Sequence, residues 1–145
     1  MPEVTLYALH PAVVHFPIAL LLLNLLLTLR CLRTPDSFTE RAAYGALVLG
    51  WWATLAAIAT GTIAVALDWP LRSEVLVWVN WHAVLGLALL IVYGRALLWR
   101  RRNPALLAGP ERRRYLAMLI VGAGIVTIDG WVGGHLVYQL GLGVR

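Results

Sequence analysis

The chain has no lysine, a single cysteine and few charged side chains of either sign. Each shortage excludes something. All 12 basic residues are arginine, and with Asp and Glu together at 7 the formal net charge is +5. Charged residues make up 13% of the sequence, against about 25% in a soluble domain, too few for the surface of a water-facing globule. The lone Cys31 excludes an intrachain disulfide and a cysteine-based metal site. Flanked by Arg30 and Arg33, it is expected to be a structural thiol on the reducing side of a membrane. No nucleophile–base set, phosphate loop or pair of carboxylates is present, so an enzyme acting on a soluble substrate is not expected. Nor does the basic charge point to nucleic acid. The arginines stand at the ends of apolar runs, not among interleaved aromatics.

What is abundant is hydrophobic residue, 61% of 145 positions. A single membrane domain over residues 1–145 follows. Four stretches are long enough to span a bilayer, which takes ~20 apolar residues. They predict an all-α, antiparallel four-helix transmembrane bundle with helices near residues 11–32, 42–67, 75–99 and 115–139. Pro11 suits a first helical turn. Pro17, inside the same span, predicts a bend or local unwinding near His15. The first run is not expected to be a cleaved signal, because its leader carries Glu3 and no arginine. Thr34-Pro35-Asp36-Ser37 and Asp68-Trp69-Pro70 read as helix-breaking turns. The arginines crowd the loops between spans one and two and between spans three and four. That bias predicts that those loops are cytoplasmic and that both termini are periplasmic, in a bacterial inner membrane. Asn24 and Thr54 are expected to bond between helices, and the tryptophans to sit in interface belts.

The chemistry concentrates in the histidines. Trp78-Val-Asn-Trp-His82-Ala-Val-Leu-Gly86 puts an imidazole inside an apolar helix, where it is costly unless something binds it. By helical rise, His15, His82, His135 and Gly61 all fall roughly 6–12 Å from the outer ends of their spans. His10 is expected just above that layer, among the headgroups. One possibility is a b-type haem held axially by two imidazoles from facing helices. His15 and His82 are the expected ligands, with His135 as the substitute. Gly61, Gly86 and the Gly133-Gly134 pair would clear space for the macrocycle. Thr60, Thr62 or Tyr138 would orient the free ring N–H, and Trp69, Trp78, Trp81 and Trp131 would line the pocket or anchor the interface. A second possibility is a small metal ion on His10, His15, His82 and a carboxylate. A third is a cofactor-free hydrogen-bonded network in a structural or assembly subunit. Asp129, expected near mid-bilayer, would relay protons, pair with an imidazole, or bond Thr60 or Thr62. A transporter is disfavoured by the lack of an inverted repeat. Expected partners are the lipid bilayer, a redox protein or quinone, and further copies or subunits of a larger complex.

Two motifs carry a family resemblance. His10-Pro-Ala-Val-Val-His15-Phe-Pro-Ile-Ala-Leu20 resembles the start, and Gly133-Gly-His-Leu-Val-Tyr138-Gln-Leu-Gly-Leu-Gly-Val144 the end, of a bacterial family of small predicted membrane proteins known as domain of unknown function 2231. The histidine in the third span is also similar. The resemblance covers the whole chain and implies that His10, His15 and His82 are the positions to watch. Some relatives are joined to Rieske-type iron–sulfur domains, which implies a membrane redox role. This chain departs from the pattern at Leu140, where relatives often carry histidine, and at Asn24, near which some carry an acid. His135 occupies a position that varies in the family.

Overall fold

A computed structural model describes residues 9–67 and 71–142, which form four long helices. They are α1 (Leu9–Arg33), α2 (Ser37–Leu67), α3 (Ser73–Arg102) and α4 (Arg112–Tyr138). All four are long and apolar enough to cross a membrane. The short connections make the helices alternate in direction. Helix α1 packs beside α2 and α4, and α3 also packs beside α2 and α4, so α1 and α3 face each other across the diagonal. The turn at Asp68-Trp69-Pro70 and the role read for Trp69 lie outside the described residues, as do Glu3 and Arg145.

The helices outrun their apolar cores, and the reasons are local. Helix α2 starts at Ser37 because Asp36 caps it: the Thr39 N–H donates to Asp36 Oδ1 at 2.7 Å. That bond holds the exposed Asp36 carboxyl below its ordinary value of 3.8. Helix α3 continues through Arg100 because that buried side chain finds partners. Its Nη2 donates to Glu40 Oε1 at 2.7 Å and its Nη1 to the Pro104 carbonyl at 3.2 Å. Beyond it the 103–111 loop tucks Leu106 and Leu107 under the bundle, and the Trp99 indole N–H donates to Glu111 Oε2 at 3.2 Å. At the other end of α4, Gly141 takes φ 69°, a left-handed conformation that favours glycine. The Leu142 N–H then reaches back to the Leu136 carbonyl at 2.9 Å.

Pro17 does not unwind α1. The helix is continuous from Leu9 to Arg33 with Pro17 buried inside it. The tightest packing is between α1 and α2, where small residues face inward. Ala43, Ala46, Gly50 and Ala57 are all buried, and a Cβ added at Gly50 would lie 2.6 Å from Leu21 Cδ2. In a membrane, where lipid tails compete with any apolar side chain, this close approach holds helices together. Asn24 bonds between helices as expected, its Nδ2 donating to the Ala43 carbonyl at 2.9 Å. Thr54 does not: its hydroxyl donates to Gly50 of its own helix. Large apolar side chains such as Phe16, Leu26, Ile91 and Val121 cover the outside.

Candidate functional site

At the end of the bundle opposite the arginine-rich loops, α1 and α3 send imidazoles toward each other across the diagonal. The rings of His10 and His82 lie 6.0 Å apart, centroid to centroid, at an interplanar angle of 72°. Each ring is held through Nδ1. His82 Nδ1 is 2.6 Å from Asp129 Oδ1 on α4, and both side chains are largely buried, at 24% and 13% exposure. His10 Nδ1 is 3.2 Å from Thr60 Oγ1 on α2. The Thr60 hydroxyl hydrogen is directed to the Ala56 and Ala57 carbonyls at 3.0 Å. Its oxygen therefore accepts, and His10 carries its proton on Nδ1. His82 is held in the same way, through Nδ1, by the Asp129 carboxyl group. In their neutral forms both imidazoles keep an unshared Nε2 lone pair. All four helices contribute one residue to this cluster.

Two glycines seat the rings. A Cβ at Gly61 would lie 2.9 Å from His10 Cε1, and a Cβ at Gly133 would lie 3.3 Å from His82 Cε1. The gaps that glycine opens here are filled by imidazole.

A family model described as a predicted membrane protein, DUF2231, matches residues 7–145, all but the first six positions. The chain belongs to the DUF2231 family. No match was found among curated proteins or among solved structures. In this DUF2231 chain the two end motifs and the third-span histidine converge in space. The opening motif supplies His10, the closing motif supplies Gly133, and His82 touches both.

The structure corrects several expectations about individual residues. His10 is in the histidine layer, not above it. His15 is the outlier: it is exposed, and its Nδ1 lies 2.6 Å from the Pro11 carbonyl of its own helix. It is not brought to His82, because five residues of helix turn it away from the face that carries His10. His135 is half-buried beside two indoles, 4.4 Å from the Trp78 ring and 5.7 Å from the Trp131 ring, which are 6.0 Å from each other. The three rings form a triangular cluster, and Trp131, Gly134, Tyr138 and Gln139 line an open groove beside it. Gly86 packs near Ile58 and Gly134 near Tyr138, so neither glycine borders an imidazole of the cluster. Thr62 is exposed and bonds Ile58 of its own helix. Asp129 pairs with an imidazole and leaves both threonines alone. Among the described residues no group of three or more His, Cys, Asp or Glu side chains could hold a metal ion. The four-ligand site on His10, His15, His82 and a carboxylate therefore does not form.

Sequence reading also missed a second polar set, near the arginine-rich end. Asn24 on α1, Tyr93 on α3 and Tyr115 on α4 are each at most 2% exposed, and the Glu40–Arg100 pair lies beyond them. Trp51, read as a belt residue, instead donates from its indole to the Leu90 carbonyl at 3.0 Å and ties α2 to α3. Its room comes from Gly94, where a Cβ would lie 3.0 Å from the indole nitrogen.

Proposed function

We propose that this DUF2231 protein is a membrane electron-transfer protein that holds one b-type haem between His10 and His82. One observation carries the reading. Two imidazoles from diagonal helices meet 6.0 Å apart with both Nδ1 atoms engaged, by Thr60 and by Asp129. A ring nitrogen anchored by a carboxylate or hydroxyl is the usual support for a metal-bound histidine, since it sets the tautomer and raises the basicity of the other nitrogen. A free metal ion needs three or four protein donors. A haem brings four nitrogens of its own and would be held by two protein ligands, here the imidazoles of His10 and His82. When bound it would supply one-electron chemistry. The chain's own residues orient the two rings, Thr60 through His10 Nδ1 and Asp129 through His82 Nδ1. We also propose that the arginine-rich end is cytoplasmic and that the histidine end faces the periplasm. There a redox protein or a quinone would exchange the electron.

A second reading rests on the same cluster. The Nδ1 bonds are complete as they stand, and imidazole fills the gaps at Gly61 and Gly133. Without a guest, the four residues would be a hydrogen-bonded lock that sets the register of the helices in a structural or assembly subunit. A visible spectrum separates the two. The haem reading expects a Soret band and reducible α band in detergent-purified protein from haem-replete cells. Both should disappear in His10→Ala and His82→Ala and persist in His15→Ala. A colourless sample with a negative pyridine haemochrome assay would reject the haem and leave the lock.

A further inference from the structure

The end of the bundle away from the histidines carries charge that the protein does not compensate. From Arg95 to Tyr115 the chain holds seven arginines and a single carboxylate, Glu111. Five of those arginines are exposed on two helix ends. Arg101 and Arg102 close α3, and Arg112, Arg113 and Arg114 open α4. The fold brings the two groups together. The Trp99 indole N–H donates to Glu111 Oε2 at 3.2 Å, and the Trp99 and Tyr115 rings meet edge to face at 6.2 Å. The last turn of α3 therefore stands beside the first turn of α4. Arg101 and Arg102 follow Trp99 within one turn, and Arg112, Arg113 and Arg114 lie between Glu111 and Tyr115. The loop that joins the groups is fastened to the bundle by buried Leu106 and Leu107.

The carboxylates of this end are already engaged. Asp36 caps α2, Glu40 takes Arg100, and Glu111 accepts from Trp99. Among the described residues the ion pairs are His82–Asp129 and Arg100–Glu40, so none of the five exposed guanidiniums has a carboxylate partner. The arginines of α3 at least suit the end of their helix. Those of α4 do not: its first turn has no acidic residue, and cations there stand against the helix dipole and against one another. An anion from outside the protein turns that repulsion into attraction.

Two features select the anion. The first is position. Both helices are long and apolar enough to cross a membrane, so their arginine-bearing ends fall at the depth of lipid headgroups, where anionic phospholipid attracts basic clusters. The second is residue type. All 12 basic residues are arginine. Membrane orientation responds to lysine and arginine alike, but only a guanidinium offers a planar fork that gives a phosphate two parallel N–H···O bonds.

We propose that the exposed arginines of the α3–α4 junction form a binding site for the phosphate headgroup of an anionic phospholipid, gripped by guanidiniums from both helix ends. The site is at the opposite end from His10 and His82 and is independent of whatever they bind.

The test places the whole protein in nanodiscs of equal parts phosphatidylglycerol, the anionic probe, and phosphatidylcholine. Native mass spectrometry then reads which lipids stay bound after release. Phosphatidylglycerol should predominate, and equal retention of the two lipids would overturn the proposal. Changing Arg101, Arg102, Arg112, Arg113 and Arg114 together to lysine keeps the charge and alters only exposed positions, so the bundle is expected to fold. That variant should lose bound phosphatidylglycerol several-fold. Undiminished retention would show diffuse charge attraction and overturn a guanidinium site. Arg30→Lys, Arg33→Lys and Arg41→Lys, combined on the neighbouring loop, should retain the lipid as wild type does. An equal loss there would overturn the assignment to the α3–α4 junction.

Discussion

Single atoms decide where rings sit in this bundle. Gly122 and Gly124 are two positions apart on α4 and look alike in sequence, yet a Cβ at Gly122 would strike Tyr93 at 2.8 Å while Gly124 has nothing within 4 Å. Gly122→Ala should therefore cost about 1–3 kcal/mol, the usual penalty of overpacking, seen as a lower Tm in detergent. Gly124→Ala should fall within about 0.5 kcal/mol of wild type. The same logic reaches the candidate site. Gly61→Val pushes on the His10 ring from 2.9 Å and should remove the haem spectrum, whereas the equivalent change at Gly86, which has only Ile58 at 3.8 Å, should retain it. That Gly61 and Gly133 make room was legible in the sequence. That the room is for imidazole was not, because each neighbour comes from a different helix.

At the scale of the helix, depth favours His15 on α1, whereas the structure brings His10 to His82. The buried residues of α1 are Pro17, Leu21, Asn24, Thr28 and Cys31. Steps of seven from Cys31 through Asn24 and Pro17 arrive at His10, while His15 falls on another face. The same heptad links Val75, His82, Leu89 and Ala96 on α3, and Gly122 with Asp129 on α4. In this chain the spacing of seven marks the inner faces of α1 and α3, which depth alone does not. Helix ends were legible only in part. Hydropathy places the apolar core, but α2 begins where Asp36 caps it. That cap has a pH signature. Its carboxyl is held below 3.8 in the folded protein, so its contribution is complete above that value and fades as pH falls through the lowered one. Asp36→Ala should lower Tm at neutral pH, and the gap to wild type should close under strong acid. A gap that stays constant would show that the cap does not depend on the ionised carboxylate.

For the whole molecule, the arginine-rich end is closed by the Glu40–Arg100 pair. Arg100 is 8% exposed and Glu40 38%. Glu40→Gln should then cost more than the ~1 kcal/mol of a surface pair. It should cost less than the ~3–5 kcal/mol of a fully buried one, since water still reaches the carboxylate. Urea or thermal unfolding would measure it. Orientation is tested by single cysteines in a Cys31→Ala background. Ala105→Cys should react with membrane-impermeant maleimide only after the cytoplasmic side is opened, and Glu74→Cys in intact spheroplasts. The reverse pattern would invert the topology.

The sequence alone decided class and architecture. Its shortage of charge and its four apolar runs leave a membrane bundle as the outcome, because a backbone in lipid must satisfy its own hydrogen bonds within helices. It also showed that histidines gather toward one end. Only the tertiary structure decided which of them meet. Neighbour identity depends on helix rotation and on the diagonal arrangement of α1 and α3, and neither is written in composition or depth. The partnerships His10 with Thr60, His82 with Asp129, and Tyr93 against Gly122 exist because packed small residues fix those rotations, a property of the assembled bundle.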